Sequence, residues 1–197
     1  MKKLLILFLS LIAAAAGFYF GYWTKTPAYA AGEIQQAVQK KDLPLFKERV
    51  DMDKVYSSAV DDILSQLKAD GTPEHKIAAS LLGSMKKELV KELIRRTEMK
   101  FQEKEPSDSS LLDKPVKSLT AYAGSAALSL TDILDVEEEG STAFANVKLH
   151  DKKLNKDFTW RVQMEKDING QWTAVKVVNL KEYLEERKQI LKEQGEL

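Results

Sequence analysis

Asp157-Phe158-Thr159-Trp160-Arg161-Val162-Gln163-Met164 alternates strictly between polar and apolar side chains. Successive side chains on a strand point to opposite faces. Phe158, Trp160, Val162 and Met164 therefore share one face, and Asp157, Thr159, Arg161 and Gln163 the other. Further on, Asn169-Gly170 is a strong two-residue hairpin signal, because both residues tolerate positive φ. A turn closing there sets Met164 opposite Val175 and Val162 opposite Val177, all on the apolar face. It leaves Trp172 on the opposite face with Asp167. The stretch predicts a half-buried antiparallel sheet.

Working outward, residues 142–149 predict an earlier strand, with Ala143, Ala145, Val147 and Leu149 on one face and Phe144 on the other. A weaker signal over 127–136 predicts one more. The chain closes on a charged amphipathic helix, 180–195, in which Tyr183, Ile190 and Leu197 recur seven apart beside Leu180, Leu184 and Leu191. Its thin apolar stripe suits either docking on the domain or a partner-binding face.

Before the strands the period is helical. Pro27 suits a first helical turn, and Ile34, Ala37 and Val38 mark one face of a helix to about Lys40. Asp42 reads as the cap of a short helix carrying Leu43, Phe46 and Val50, and Asp51 or Asp53 as the cap of the next. That helix carries Val55, Ala59, Val60, Ile63, Leu64 and Leu67, and Ala69-Asp70-Gly71 ends it. Thr72-Pro73-Glu74 starts a long helix running to about Phe101, with Ile77, Leu81, Leu82, Met85, Leu89, Leu93 and Ile94 as its buried stripe. Glu88 with Lys91 and Glu92 with Arg95 read as exposed pairs. Residues 103–110 read as a loop, and 111–123 as a short helix interrupted near Pro115. Helices first and an antiparallel sheet after them define an α+β domain with helices covering one sheet face.

At the front of the chain, Leu4 to Trp23 is an apolar run whose one strongly polar side chain is Ser10. Twenty residues at helical rise span about 30 Å, the thickness of a bilayer's hydrocarbon core. Tyr19, Tyr22 and Trp23 gather at its far end, where aromatic rings favour the membrane interface. Lys2 and Lys3 flank the near end and place the N-terminus in the cytoplasm. Residues 1–23 thus read as a signal-anchor, 24–26 as a tether, 27–179 as the exported domain and 180–197 as the terminal helix. Ala28-Tyr29-Ala30 offers a competing reading as a cleavage site after which the domain would be secreted. The apolar run exceeds the ~7–15 residues of a signal core, which favours a retained anchor.

Across 197 residues, 30 basic and 30 acidic side chains balance, and there is no cysteine. The balance argues against a nucleic-acid partner, which requires a basic footprint. Without cysteine there is no disulfide, thiol nucleophile, zinc-thiolate site or acyl-cysteine anchor.

Few motifs carry chemistry. His75 falls in a helix start and His150 beside Asp151 at a strand end; neither has a sequence partner that marks it as a catalytic base. Asp132, Asp135, Glu137, Glu138 and Glu139 lack the spacing and glycine turn of a calcium loop. No phosphate-cradling glycine loop, nucleophile elbow or paired-histidine zinc motif occurs. These readings give no catalytic residue, no cofactor and no metal. The aromatic and apolar residues of the sheet, Phe144, Phe158, Trp160 and Met164, are core or the lining of a cavity for a small apolar ligand.

The N-terminal third carries a resemblance. An apolar anchor leads into Thr26-Pro27-Ala28-Tyr29, then Ile34-Gln35-Gln36-Ala37-Val38, Lys41-Asp42 and Val50-Asp51. Over about residues 4–60 this resembles the bacterial family known as domain of unknown function 2939. The resemblance implies export and membrane attachment; it brings no activity and no catalytic residue, and it does not reach helix 180–197. The helices-then-sheet order is also similar to the cystatin-like cone of nuclear-transport-factor-type domains, a scaffold for binding modules and enzymes alike.

The sequence therefore predicts a bacterial inner-membrane protein with an extracytoplasmic α+β domain that binds an envelope protein or a small apolar ligand without catalysis. Two alternatives stand beside it. One is an enzyme on the same scaffold using a pocket carboxylate or His150. The other is an assembly factor acting through helix 180–197.

Overall fold

The computed structural model describes residues 2–69, 72–104, 112–124 and 128–195. Residues 105–110 of the loop expected at 103–110, the Asp70-Gly71 helix stop and Leu197 lie outside them. The protein is α+β: the described residues form eight α-helices and one four-stranded antiparallel sheet. The strands are β1 (Leu128–Glu139), β2 (Thr142–Asp151), β3 (Lys156–Lys166) and β4 (Trp172–Val177), in spatial order β1-β2-β3-β4. Every neighbour pair is a hairpin. The β1–β2 and β3–β4 turns thus share one end of the sheet, and the β2–β3 turn lies at the other.

Helix α1 (Lys2–Gly21) stands outside the domain, and its described side chains are exposed. Residues Ile6–Lys25 are long and apolar enough to cross a membrane or act as a signal. A short 3-10 turn, Trp23–Lys25, links α1 to α2 (Pro27–Lys40). The Thr26 hydroxyl accepts the Tyr29 amide at 3.2 Å and caps α2, with Pro27 at its first position. Asp42 caps α3 (Leu43–Arg49) by accepting the Leu45 amide at 3.1 Å. Asp51 accepts the Lys54 amide at 3.0 Å at the start of α4 (Met52–Ala69). Thr72 caps α5 (Pro73–Ser84) through the His75 amide.

The long helix expected from residue 73 to 101 is two helices. It breaks at Met85 (φ −106°, ψ 12°), directly after Gly83-Ser84, and restarts as α6 (Lys86–Phe101). A Gly/Ser pair weakens the helical ladder at that point. The break turns α5 so that Ala79 is buried and Ile77 and Leu81 face solvent, against the expected stripe. The helix α7 (Asp113–Tyr122) runs through Pro115 without interruption, because the proline lies in the first turn, where no intrahelical amide is needed. The last helix, α8 (Leu180–Glu193), buries Leu180, Tyr183, Leu184 and Leu191.

All helices that touch the sheet cover one face. Ala30, Ala31 and Met52 meet Ala143, Ala145, Met164, Trp172 and Ala174 in one cluster. Residues of α4, α6, α7 and α8 close over Phe158 and Val177 in the other. Trp172, expected on the open face, is 1% exposed within the first cluster. The register explains this. Val162 pairs with Val177, but a bulge after Gln163 shifts the ladder, so Met164 pairs with Ala174 and Lys166 with Trp172. One extra residue moves Trp172 to the covered face. Two further bulges in β1 keep Leu130, Ile133 and Val136 opposite Leu149, Val147 and Ala145.

Candidate functional site

Where α4, α6 and α7 meet β3, the helices do not fill the space over the sheet. A cavity of about 130 Å³ remains. Ala59 and Ile63 of α4 form one wall and Leu93 of α6 another, with Leu119 of α7 and Trp160 of β3 closing it. Two of its lining side chains, Ala59 and Ala123, are small.

The polar groups around it are mostly committed elsewhere. The Tyr56 hydroxyl bonds Thr97, and burial pushes its pKa up. The Thr120 hydroxyl donates to the Val116 carbonyl at 2.9 Å. Tyr183 meets the Trp160 ring edge-on at 5.6 Å and donates to the Ala123 carbonyl at 3.1 Å. The Trp160 indole N–H is buried and has no hydrogen-bond partner among the described residues. A dry apolar void of about 150 Å³ is enough to admit benzene.

The residues singled out in the sequence divide among different environments. Trp160 lines the cavity. Phe158 is buried against Tyr183, with ring centroids 4.9 Å apart. Met164 lies fully buried in the neighbouring cluster beside Trp172. Phe144 is on the open face of the sheet, where the Arg161 guanidinium sits 4.2 Å above its ring. The α4 and α7 walls were not legible as cavity residues, because a helical stripe looks the same whether its outermost members touch protein or a void.

The open face carries a second arrangement. The His150 Nδ1 lies 2.8 Å from one Asp157 oxygen, and the Lys148 ammonium 2.7 Å from the other. Thr131 and Asp132 complete a groove of about 380 Å³. Lys148 first, and His150 second, hold the Asp157 carboxyl below its ordinary pKa, and Asp157 in turn raises that of Lys148. A carboxylate bonded to one imidazole nitrogen can orient the ring for proton transfer. The Thr131 hydroxyl donates to the Lys148 carbonyl at 2.9 Å. His75 stands at the start of α5, remote in sequence and element from this pair.

The acidic run of β1 spreads along the strand and pairs singly. Asp135 accepts Asn146 at 2.6 Å, Glu137 lies 3.3 Å from Arg161, and Glu138 lies 3.8 Å from Lys166. Among the described residues no three histidine or carboxylate side chains converge as metal ligands would.

No protein family, curated protein or solved structure matches the chain.

Proposed function

We propose that this chain is an extracytoplasmic binding protein held in the bacterial inner membrane by α1, and that its domain receives a small apolar molecule without chemical turnover. The observation that carries the reading is the cavity between Ala59, Leu119 and Trp160, whose walls are apolar. Such pockets, with few polar groups, are the usual form of small-molecule sites. The apolar span Ile6–Lys25 agrees with export and attachment.

Retention of α1 has its own support. Cleavage after Ala30 would cut within α2, in a segment where Pro27, Ala30 and Ala31 are buried. It would also remove the Lys25 carbonyl, which accepts the indole N–H of buried Trp172 at 3.0 Å. A buried donor that loses its acceptor costs roughly 1–3 kcal/mol. Lys2 and Lys3 before the apolar run favour a cytoplasmic N-terminus with the domain outside.

Benzene and toluene, titrated against the full-length protein in detergent, test the binding reading. The melting temperature should rise with ligand for the native chain and stay fixed for Ala59→Leu, which fills the void. No rise in the native chain, or an equal rise in both, refutes it.

The His150–Asp157 pair, at 2.8 Å within a groove, favours a second reading as an enzyme using His150 as a base. Turnover of an envelope ester or amide that His150→Ala abolishes would support that alternative. An assembly factor acting through α8 would have to use the helix's charged outer side, because its apolar side lies on the core.

A further inference from the structure

We propose that the β3–β4 turn, Asp167–Gln171, is a second membrane contact, and that Ile168 inserts its side chain into the interface of the bilayer that α1 crosses. The inference rests on the reading of α1 as a retained anchor.

The domain is seated on the end of α1. Trp172, at the base of this turn, donates its indole N–H to the Lys25 carbonyl at 3.0 Å, and Lys25 ends the apolar span. Tyr29, in the first turn of α2, meets Tyr19 of α1 edge-on with ring centroids 6.4 Å apart. Tyr19, Tyr22 and Trp23 are side chains that settle at the headgroup level. Ile168 is four positions from Trp172 in sequence, so their Cα atoms are at most about 14 Å apart. The turn is thereby confined to the neighbourhood of the interfacial belt.

The turn is also built for such a place. Ile168 is fully exposed, at 102% of its reference surface, so it takes no part in the core. An exposed isoleucine alone means little; one held beside a membrane exit has an apolar phase within reach. Four backbone amides around it bond within the turn. The Asp167 carboxylate accepts the amides of Asn169 and Gln171, both at 2.8 Å. The Asp167 carbonyl accepts Gly170 at 3.0 Å, and the Asp167 amide bonds the Gln171 carbonyl at 2.8 Å. Pairing these four amides within the turn lowers the cost of bringing it to a water-poor layer. Lys166 flanks the turn, its ammonium 5.2 Å from the Trp172 ring centroid. The acidic end of β1 lies at the same end of the sheet, so a zwitterionic bilayer is the appropriate partner.

The chain has no cysteine, so single introduced thiols can be labelled cleanly. Full-length Leu11→Cys, Ile168→Cys and Lys152→Cys, each carrying an environment-sensitive fluorophore, would be placed in phosphatidylcholine nanodiscs with brominated acyl chains. Lys152 lies in the β2–β3 turn, roughly 30 Å away at the other end of the sheet. The expected result is quenching and a blue shift at positions 11 and 168, several-fold stronger than at 152. If position 11 is quenched and 168 behaves like 152, the turn is not a membrane contact although the anchor stands. If position 11 is unquenched, the anchored reading fails and this inference with it.

Discussion

Asp151 and Arg187 form an ion pair sealed inside the protein, Arg187 Nε lying 3.2 Å from the Asp151 carboxylate, with both side chains buried. Asp151 also accepts the Lys153 and Leu154 amides at 2.9 and 3.1 Å, which shapes the β2–β3 turn. Arg187 donates to the Tyr122 carbonyl at 3.3 Å. One pair therefore joins three elements: the end of β2, the end of α7 and the middle of α8. Removing one partner strands a charge in the interior, which typically costs about 3–5 kcal/mol. Arg187→Met should lose stability on that scale in urea unfolding, and Asp151→Asn combined with it should recover part of the loss.

Gly124 lies directly against this pair. Its φ is +65°, and a Cβ there would fall 2.2 Å from Arg187 Nε. Gly124→Ala carries both backbone strain and a clash. It should destabilise by more than the ~1 kcal/mol of an ordinary glycine replacement at positive φ. An unchanged urea midpoint would contradict the packing described here.

The cavity makes a double prediction. Leu119 is 3% exposed, and Leu119→Ala should cost about 2–5 kcal/mol while enlarging the void. An apolar ligand that fits the enlarged space should restore part of the loss. At a free concentration 100-fold over Kd, linkage returns about 2.7 kcal/mol. Thermal melts with and without toluene measure both effects.

Glu92 supplies a pH dependence. Its carboxylate bonds Arg95 at 2.6 Å and Arg96 at 2.8 Å, while Arg96 also holds Asp113. The Arg95 hydrogen bond is the largest cause of its lowered pKa. A carboxyl depressed in the folded state adds stability that is complete above its unfolded pKa. That contribution disappears as pH falls through the folded value. The native chain should therefore lose stability below about pH 4.3, the ordinary glutamate value, and Glu92→Gln should show a shallower acid slope. Equal slopes in acid unfolding would remove Glu92 from the account.

Asp157 is open to solvent, and its titration is the direct readout. Lys148→Met removes the larger of the two causes that lower its pKa, leaving His150. The Asp157 carboxyl resonance should then titrate at higher pH than in the native chain, by NMR.

The contrast between β2 and β1 shows what alternation can reveal. In β2, Ala143, Ala145 and Leu149 are buried and alternate with Phe144, Asn146 and Lys148 on the open face. In β1 the inward residues Leu130, Ile133 and Val136 are spaced by three, because a bulge intervenes twice. A period of two cannot report such a strand, which is why its signal over 127–136 is weak. The bulge after Gln163 hides Trp172 in the same way. Caps were legible at Asp42 and Thr72, which act through neighbours in sequence; Thr26, read as part of the tether, also caps α2. Glu92 reads as a surface pair with Arg95 because the i, i+3 rule sees one helix; it is in fact buried, and Arg96, which also bonds it, reaches across to Asp113 of α7. The cavity was not legible at all, since a void belongs to no residue.

The place of α8 in the core has a consequence for synthesis. Its Leu180, Tyr183, Leu184 and Leu191 complete the cluster that also holds Val60, Leu89 and Val116. Those earlier residues emerge from the ribosome long before the side chains that cover them. At the ~5–20 residues per second of translation, Val60 waits several seconds for Leu191. The hairpins can pair as they appear, since each strand meets its sequence neighbour. The part of the apolar interior that α8 covers is completed only when that helix arrives.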